Sequence, residues 1–347
     1  MWHHGGDILS INQSSGEKKL IDFSANINPL GQPKSIQDAI SQSAKASLNY
    51  PDPFCRELKK SISKFENVNQ DQIVCGNGAA EIIFKIAYSL KPKSVLIPAP
   101  TFAEYEQAVR QVGAAVDYLH LDEKKNFCLD QKIHLQLVGK DMVFICNPNN
   151  PVGNVADVVL IMDVVERCKR AGIIVVIDEC FMDILIKPQS MSKFISDFDN
   201  LIIIKAFTKS FAIPGVRLGY CLCANKKIVD SLGKTGPPWN VSTVAQLAGI
   251  AACNETDFLR ESVAYIDGEN DYLSGALNDL GMYVFDSKAN FILFKSCDFD
   301  LRNKLISKGI VIRDCSNYVG LSDGFYRVAV RLHHENVALI KAIEDVL

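Results

Sequence analysis

Residues 201–220, Leu201-Ile202-Ile203-Ile204-Lys205-Ala206-Phe207-Thr208-Lys209-Ser210-Phe211-Ala212-Ile213-Pro214-Gly215-Val216-Arg217-Leu218-Gly219-Tyr220, decide how the chain is read. The block Leu201–Ile204 is apolar without alternation, the pattern of a strand buried on both faces. Lys209 follows at the mouth of that strand, and Pro214-Gly215 force a turn before Arg217. A lysine amine in a semi-enclosed site can form a Schiff base with an aldehyde. An arginine can grip a phosphate through two parallel hydrogen bonds. Taken singly, each reads more simply as a surface cation, because the chain has 37 Lys and Arg. Their surroundings must decide.

The bulk numbers set limits. A chain of 347 residues holds one large or two medium domains. It is 48% hydrophobic and 22% charged, as in soluble globular proteins, and its net charge of −3 gives no sign of a nucleic-acid or anionic-membrane partner. The 11 cysteines are odd in number, and no Cys-x-x-Cys occurs. Cys75, Cys146 and Cys221 lie in apolar runs and read as buried free thiols, which suits a cytoplasmic location. Met1–Asp7 lacks the layout of a signal peptide, and no apolar stretch is long enough to span a bilayer.

Strand-like and helix-like segments alternate through the middle. Ser94–Ile97, Ala115–Leu119, Met142–Cys146, Ile173–Asp178 and Leu201–Ile204 read as strands; Phe102–Val112 and Val158–Arg170 read as helices. Apolar strands separated by helices predict an α/β fold with a mostly parallel sheet covered on both faces. Such sheets bind ligands beyond the carboxyl ends of their strands. The character changes at about Val244: a helical region, Thr243–Leu280, leads to short strands at Tyr283–Phe285, Phe291–Phe294, Val311–Ile312 and Arg327–Val330, with a closing helix at Glu335–Leu347. We expect a large domain over 31–245 and a smaller α/β domain from 1–30 with 246–347.

Four segments fall at strand ends. Asp178 closes the strand Ile173–Asp178, and a buried carboxylate there needs a cationic partner, such as a protonated pyridine nitrogen. It reads equally as a helix N-cap. Asn147-Pro148-Asn149-Asn150-Pro151-Val152-Gly153 fixes an asparagine that could donate to a phenolate oxygen, or makes a plain turn. Gly76-Asn77-Gly78-Ala79-Ala80-Glu81 opens a helix and suits a phosphate or a simple cap. Phe102 could stack on a planar ring or be core. A lysine for an aldehyde and an arginine for a phosphate meet in one ligand, pyridoxal 5'-phosphate.

In this order and spacing these motifs resemble the fold-type I pyridoxal-phosphate enzymes of the aspartate-aminotransferase superfamily, over nearly the whole chain. The resemblance implies that Lys209 carries the cofactor and that Arg217 and Thr208 serve its phosphate, with the backbone amides of Asn77, Gly78 and Ala79. It implies that Asp178 pairs with the ring nitrogen, Asn150 contacts the 3'-oxygen and Phe102 stacks on the ring. Tyr50, in Asn49-Tyr50-Pro51-Asp52, matches a tyrosine that reaches the phosphate of the neighbouring subunit, which implies a homodimer with shared active sites. Two positions depart from the superfamily pattern: Phe181 stands where many relatives have tyrosine, and Ala206 where many have serine or threonine.

Within the superfamily the chain is most similar to L-threonine-O-3-phosphate decarboxylases, then to histidinol-phosphate aminotransferases. His4-Gly5-Gly6, Asp22–Gly31, Pro238–Val241, Ile312–Tyr318 and Tyr326–Arg331 carry that similarity. It implies that Arg327 holds the substrate carboxylate, with His4 and Arg313 at the substrate phosphate. The reaction so implied converts L-threonine O-3-phosphate to (R)-1-aminopropan-2-ol O-phosphate and CO2, for cobalamin biosynthesis. The alternatives are a histidinol-phosphate aminotransferase, an O-phospho-L-serine decarboxylase and a non-catalytic protein of the same fold.

Overall fold

The computed structural model describes residues 5–15 and 20–347, the side chains of 12–15 excepted. After a two-residue strand, β1 (Ile21–Asp22), seven strands build the central sheet. They are β2 (Ile73–Gly76), β3 (Ser94–Ala99), β4 (Ala115–His120), β5 (Met142–Cys146), β6 (Ile174–Asp178), β7 (Leu201–Ala206) and β8 (Gly219–Leu222), in the order β2-β8-β7-β6-β5-β3-β4. β4, β3, β5, β6 and β7 are mutually parallel, and β8 runs antiparallel to both its neighbours.

The unalternating apolar runs are explained by burial on both faces. In β7, Leu201 and Ile203 join one core with Leu160, Ile161 and Val164 of the helix Val158–Ala171. Ile202 and Ile204 point the other way, onto Ile82, Ile83 and Ile86 of the helix Gly78–Leu90. Each such isoleucine contributes roughly 1.5–3 kcal/mol relative to exposure. The helix Val158–Ala171 starts where the Asp157 carboxylate accepts the Val159 N–H and stops at Gly172, which takes the left-handed conformation (φ 71°).

The remaining strands form a separate layer. β9 (Tyr283–Val284), β10 (Phe291–Lys295), β12 (Arg313–Asp314) and β13 (Phe325–Ala329) make an antiparallel sheet in the order β12-β13-β10-β9, while β11 (Ile310–Val311) pairs in parallel with β1. Phe23 donates its N–H to Val311 and accepts from the Ala329 N–H (2.8 Å each), so the segment after residue 20 is woven into the C-terminal part of the chain.

Two expectations are refined. The helical region Thr243–Leu280 is two helices, Thr243–Ala252 and Thr256–Asp279. The Asn254 side chain bonds back to the Ile250 carbonyl (3.0 Å), the competition with the backbone that makes asparagine a helix breaker. The strand expected at Val311–Ile312 splits around Ile312, because β11 serves β1 while β12 serves β13. Among the described residues no helix is long and apolar enough to cross a membrane.

Candidate active site

The ends of β5, β6 and β7 open on a cavity of ≈ 440 Å³, within the range of small-molecule sites. Asp178, Asn150, Phe102, Ala79, Thr208, Lys209, Arg217, Arg313 and Arg327 all line it. Residues that are far apart in sequence therefore meet where a parallel sheet places its ligands.

Asp178 is buried. One of its oxygens accepts the Cys180 N–H (3.0 Å) and the other accepts the Tyr105 hydroxyl (2.7 Å). Burial raises its pKa, and the bonds from Cys180 and Tyr105 oppose that. Among the described residues no lysine or arginine pairs with it. Lys209 sits in the one-turn helix Phe207–Ser210 that follows β7, and its carbonyl accepts the Asn28 N–H (3.1 Å). Desolvation, with the nearby Arg327 charge, lowers its amine to about 8.

The other lysine in the same stretch, Lys205, is buried between Glu66 and Asp183, at 2.7 Å from each. Burial alone would depress its pKa, but Asp183 and Glu66 outweigh that and hold it above the usual lysine range. Lys205 is thus a fixed charge, and Lys209 is the titratable amine at the cavity.

Arg217 takes the left-handed conformation (φ 60°), and its Nη1 donates to the Pro214 carbonyl (3.2 Å). Its Nη2 lies against Gly78: a Cβ there would come within 2.5 Å of it, and Gly78 itself has φ +84°. Glycine is needed at this approach of guanidinium to the helix start. The Asn77 N–H is donated to the Glu81 carboxylate (2.6 Å), which also accepts from the Asn240 amide (2.6 Å). Of the three loop residues expected at a phosphate, only Ala79 lines the cavity itself.

Arg327 is buried; its Nη1 donates to Asn150 Oδ1 and its Nη2 to the Ser24 carbonyl (2.9 Å). Arg313 stands opposite it across the β12–β13 pair, donates to Asn317 (2.9 Å) and lies 5.5 Å from the Tyr318 ring centre. Like charges directly opposite on neighbouring strands are destabilising. An anion bound between them would relieve that cost. Tyr50 is exposed outside the cavity of its own chain and stacks on Trp239, 4.8 Å between ring centres. His4 lies outside the described residues. Sequence reasoning assigned no role to Tyr105, Tyr318 or the loop Ser24-Ala25-Asn26, all at the cavity wall. The signal for Tyr105 was its place three residues after Phe102, at the start of the helix Glu104–Arg110.

The residues fit pyridoxal 5'-phosphate. A buried carboxylate without a cation suits a ring nitrogen, a low-pKa amine suits an aldehyde, and Arg217 over a glycine at a helix N-terminus suits a phosphate.

Comparison with known proteins agrees. The family model described as aminotransferase class I and II matches residues 18–343. Threonine-phosphate decarboxylase of Salmonella typhimurium is 33% identical over 99% of this chain and 96% of its own length. Among solved structures, the histidinol-phosphate aminotransferase from Clostridium acetobutylicum superposes with a TM-score of 0.89 at 36% identity, covering 94% of this chain and 99% of that one. A decarboxylase from Sulfurospirillum multivorans gives 0.88 at 26%, covering 99% and 92%. With a match that spans residues 18–343, this chain belongs to the class I and II aminotransferase family.

Proposed function

We propose that this protein decarboxylates L-threonine O-3-phosphate to (R)-1-aminopropan-2-ol O-phosphate and CO2, with pyridoxal 5'-phosphate as cofactor, and so serves cobalamin biosynthesis. The observation that carries this reading is the pair Arg313 and Arg327, facing each other across two strands at one cavity that also holds Lys209 and Arg217. Four cationic side chains line the cavity against two carboxylates, Asp178 and Glu104. After a cofactor phosphate is bound, cationic charge remains for a substrate with both a carboxylate and a phosphate.

Arg327 binds the substrate carboxylate, and Arg313, with His4, the substrate phosphate. Arg217, Thr208 and the amides of Gly78 and Ala79 hold the cofactor phosphate; the Asn77 N–H, expected there too, is taken by the Glu81 carboxylate instead. Phe102 packs on the cofactor ring, Asn150 reaches its 3'-oxygen and Asp178 keeps its nitrogen protonated. When bound, the cofactor supplies the sink for the electron pair left on Cα as CO2 departs. Lys209 Nζ, set to about 8, holds and moves a proton near neutral pH, so it can deliver the proton that replaces the carboxylate on Cα. Phe181, buried against Phe291 (5.0 Å between ring centres), offers no hydroxyl at this wall. Tyr50 serves the cofactor phosphate of a second copy in a cytoplasmic homodimer, which accounts for an exposed tyrosine on an exposed tryptophan.

The test is purified protein with the cofactor and L-threonine O-3-phosphate, with products read by NMR. Aminopropanol phosphate and CO2 are expected without any 2-oxo acid acceptor. Glutamate formed from histidinol phosphate and 2-oxoglutarate, with no decarboxylation, would establish the aminotransferase instead. The likeness to the Clostridium acetobutylicum enzyme favours that second reading.

The Lys209 shift gives a further expectation. The neutral amine attacks the aldehyde, so cofactor capture by apo protein should speed up as pH rises and level off above about 8. Stopped-flow absorbance checks this; a rate still climbing at the ordinary lysine pKa of about 10.4 would contradict it.

A further inference from the structure

Asp178 depends on a residue to which neither the family motifs nor the charge pattern assigned a role. Tyr105 is fully buried in the first turn of the helix Glu104–Arg110. Its ring stacks on Phe144 of β5, with 4.9 Å between centres and 13° between planes, and meets the ring of Phe102 edge-on at 5.7 Å. With the ring so held, its hydroxyl donates to Asp178 at 2.7 Å and lies beside the Cys146 thiol.

We propose that Tyr105 is the positioning residue of this site: its hydroxyl holds the Asp178 carboxylate in the orientation that meets the cofactor ring nitrogen, while its ring braces Phe102. This rests on the reading that pyridoxal 5'-phosphate occupies the cavity. One carboxylate oxygen is fixed by the Cys180 N–H (3.0 Å) and the other by Tyr105, so the group cannot rotate freely. The titratable groups facing Asp178 are Tyr105 and Glu104 from the helix, Cys146 at the end of β5 and Cys180 beside it. Burial and the Asp178 charge keep the Tyr105 phenol protonated, so it remains a donor. Glu104 and burial both favour the neutral acid at Asp178, and the Tyr105 hydroxyl works against them.

Tyr105→Phe keeps the ring and its packing but removes the hydroxyl. The Asp178 pKa then rises further, because a hydrogen bond to the charged form is lost. Neutral Asp178 cannot hold a protonated ring nitrogen, so the loss is largest on the acid side and fades as pH rises. The experiment is titration of apo protein with pyridoxal 5'-phosphate across the neutral range, followed by absorbance, for wild type, Tyr105→Phe, Asp178→Asn and the double variant. We expect about tenfold weaker binding for Tyr105→Phe, the scale of a hydrogen bond to a charged group. In the Asp178→Asn background the same change should have almost no effect. Equal losses in both backgrounds would show that the hydroxyl acts independently of Asp178, and unchanged binding at every pH would show that Tyr105 only fills space; either result overturns the proposal. A wild type that takes up no cofactor would instead defeat the functional reading along with it, so the two failures are told apart.

Discussion

Lys209→Ala should give a folded protein with no measurable decarboxylation and none of the visible absorbance of lysine-bound cofactor. The expected loss is about 10^4-fold or more, the upper end for a positioned proton-transfer group, because the anchoring of the cofactor disappears as well. The fold should survive. The side chain points into a cavity rather than a core, and the Lys209 carbonyl keeps its bond from the Asn28 N–H whatever the side chain. Rescue from the neighbouring lysine is not expected. Lys205 is locked between Glu66 and Asp183 within β7, and freeing it would leave two carboxylates without their cation. Circular dichroism and an absorbance spectrum after incubation with pyridoxal 5'-phosphate check the variant. Turnover within tenfold of wild type would show that the site lysine lies elsewhere.

The central strands were legible because burial on both faces leaves a plain mark, a run without alternation. Ile202, Ile203 and Ile204 face different cores, yet all three are apolar. Lys205 was not legible: a lysine at the end of an apolar run looks like the edge of the strand. Its partners are Glu66, in an earlier helix, and Asp183, in the turn after β6, so its burial depends on contacts no local pattern records. The candidate site divides the same way. Lys209, Asp178 and Asn150 follow strand ends, where the fold class itself directs attention. Tyr105 sits inside a helix that reads as ordinary packing, and its role depends on one hydroxyl reaching a strand 73 residues away. The loop from Ser24 to Asn26 faces the cavity only because β1 pairs with β11, a two-residue ladder that propensity cannot predict. Glu81 had no reading of its own; its bonds to Asn77 and Asn240 join two loops that are remote in sequence.

Arg327→Ala should raise the substrate KM about a hundredfold while the cofactor stays bound, since truncating one partner of a buried, hydrogen-bonded charge pair costs on the order of 2–5 kcal/mol. The guanidinium is held from three sides. Nη1 donates to Asn150, Nη2 donates to the Ser24 carbonyl, and the plane lies 5.4 Å from the centre of the Phe291 ring. Its Nε is buried, with no partner among the described residues. Of five N–H donors, several therefore remain for a ligand, and their direction is set before one arrives. Preorganisation of this kind matters for the choice of bond broken, because Arg327 would fix the direction in which the substrate carboxylate is held. Lysine should not rescue the variant, since one ammonium cannot span Asn150, the Ser24 carbonyl and a carboxylate in a fixed plane. Arg313→Ala should cost less, because Arg313 is only half-buried and its surroundings are better screened. Steady-state kinetics on both variants, with cofactor absorbance as the control for folding, decide the matter. An unchanged KM for Arg327→Ala would remove the carboxylate from this arginine and leave its bonds to Asn150 and Ser24 as a purely structural clamp between the two sheets.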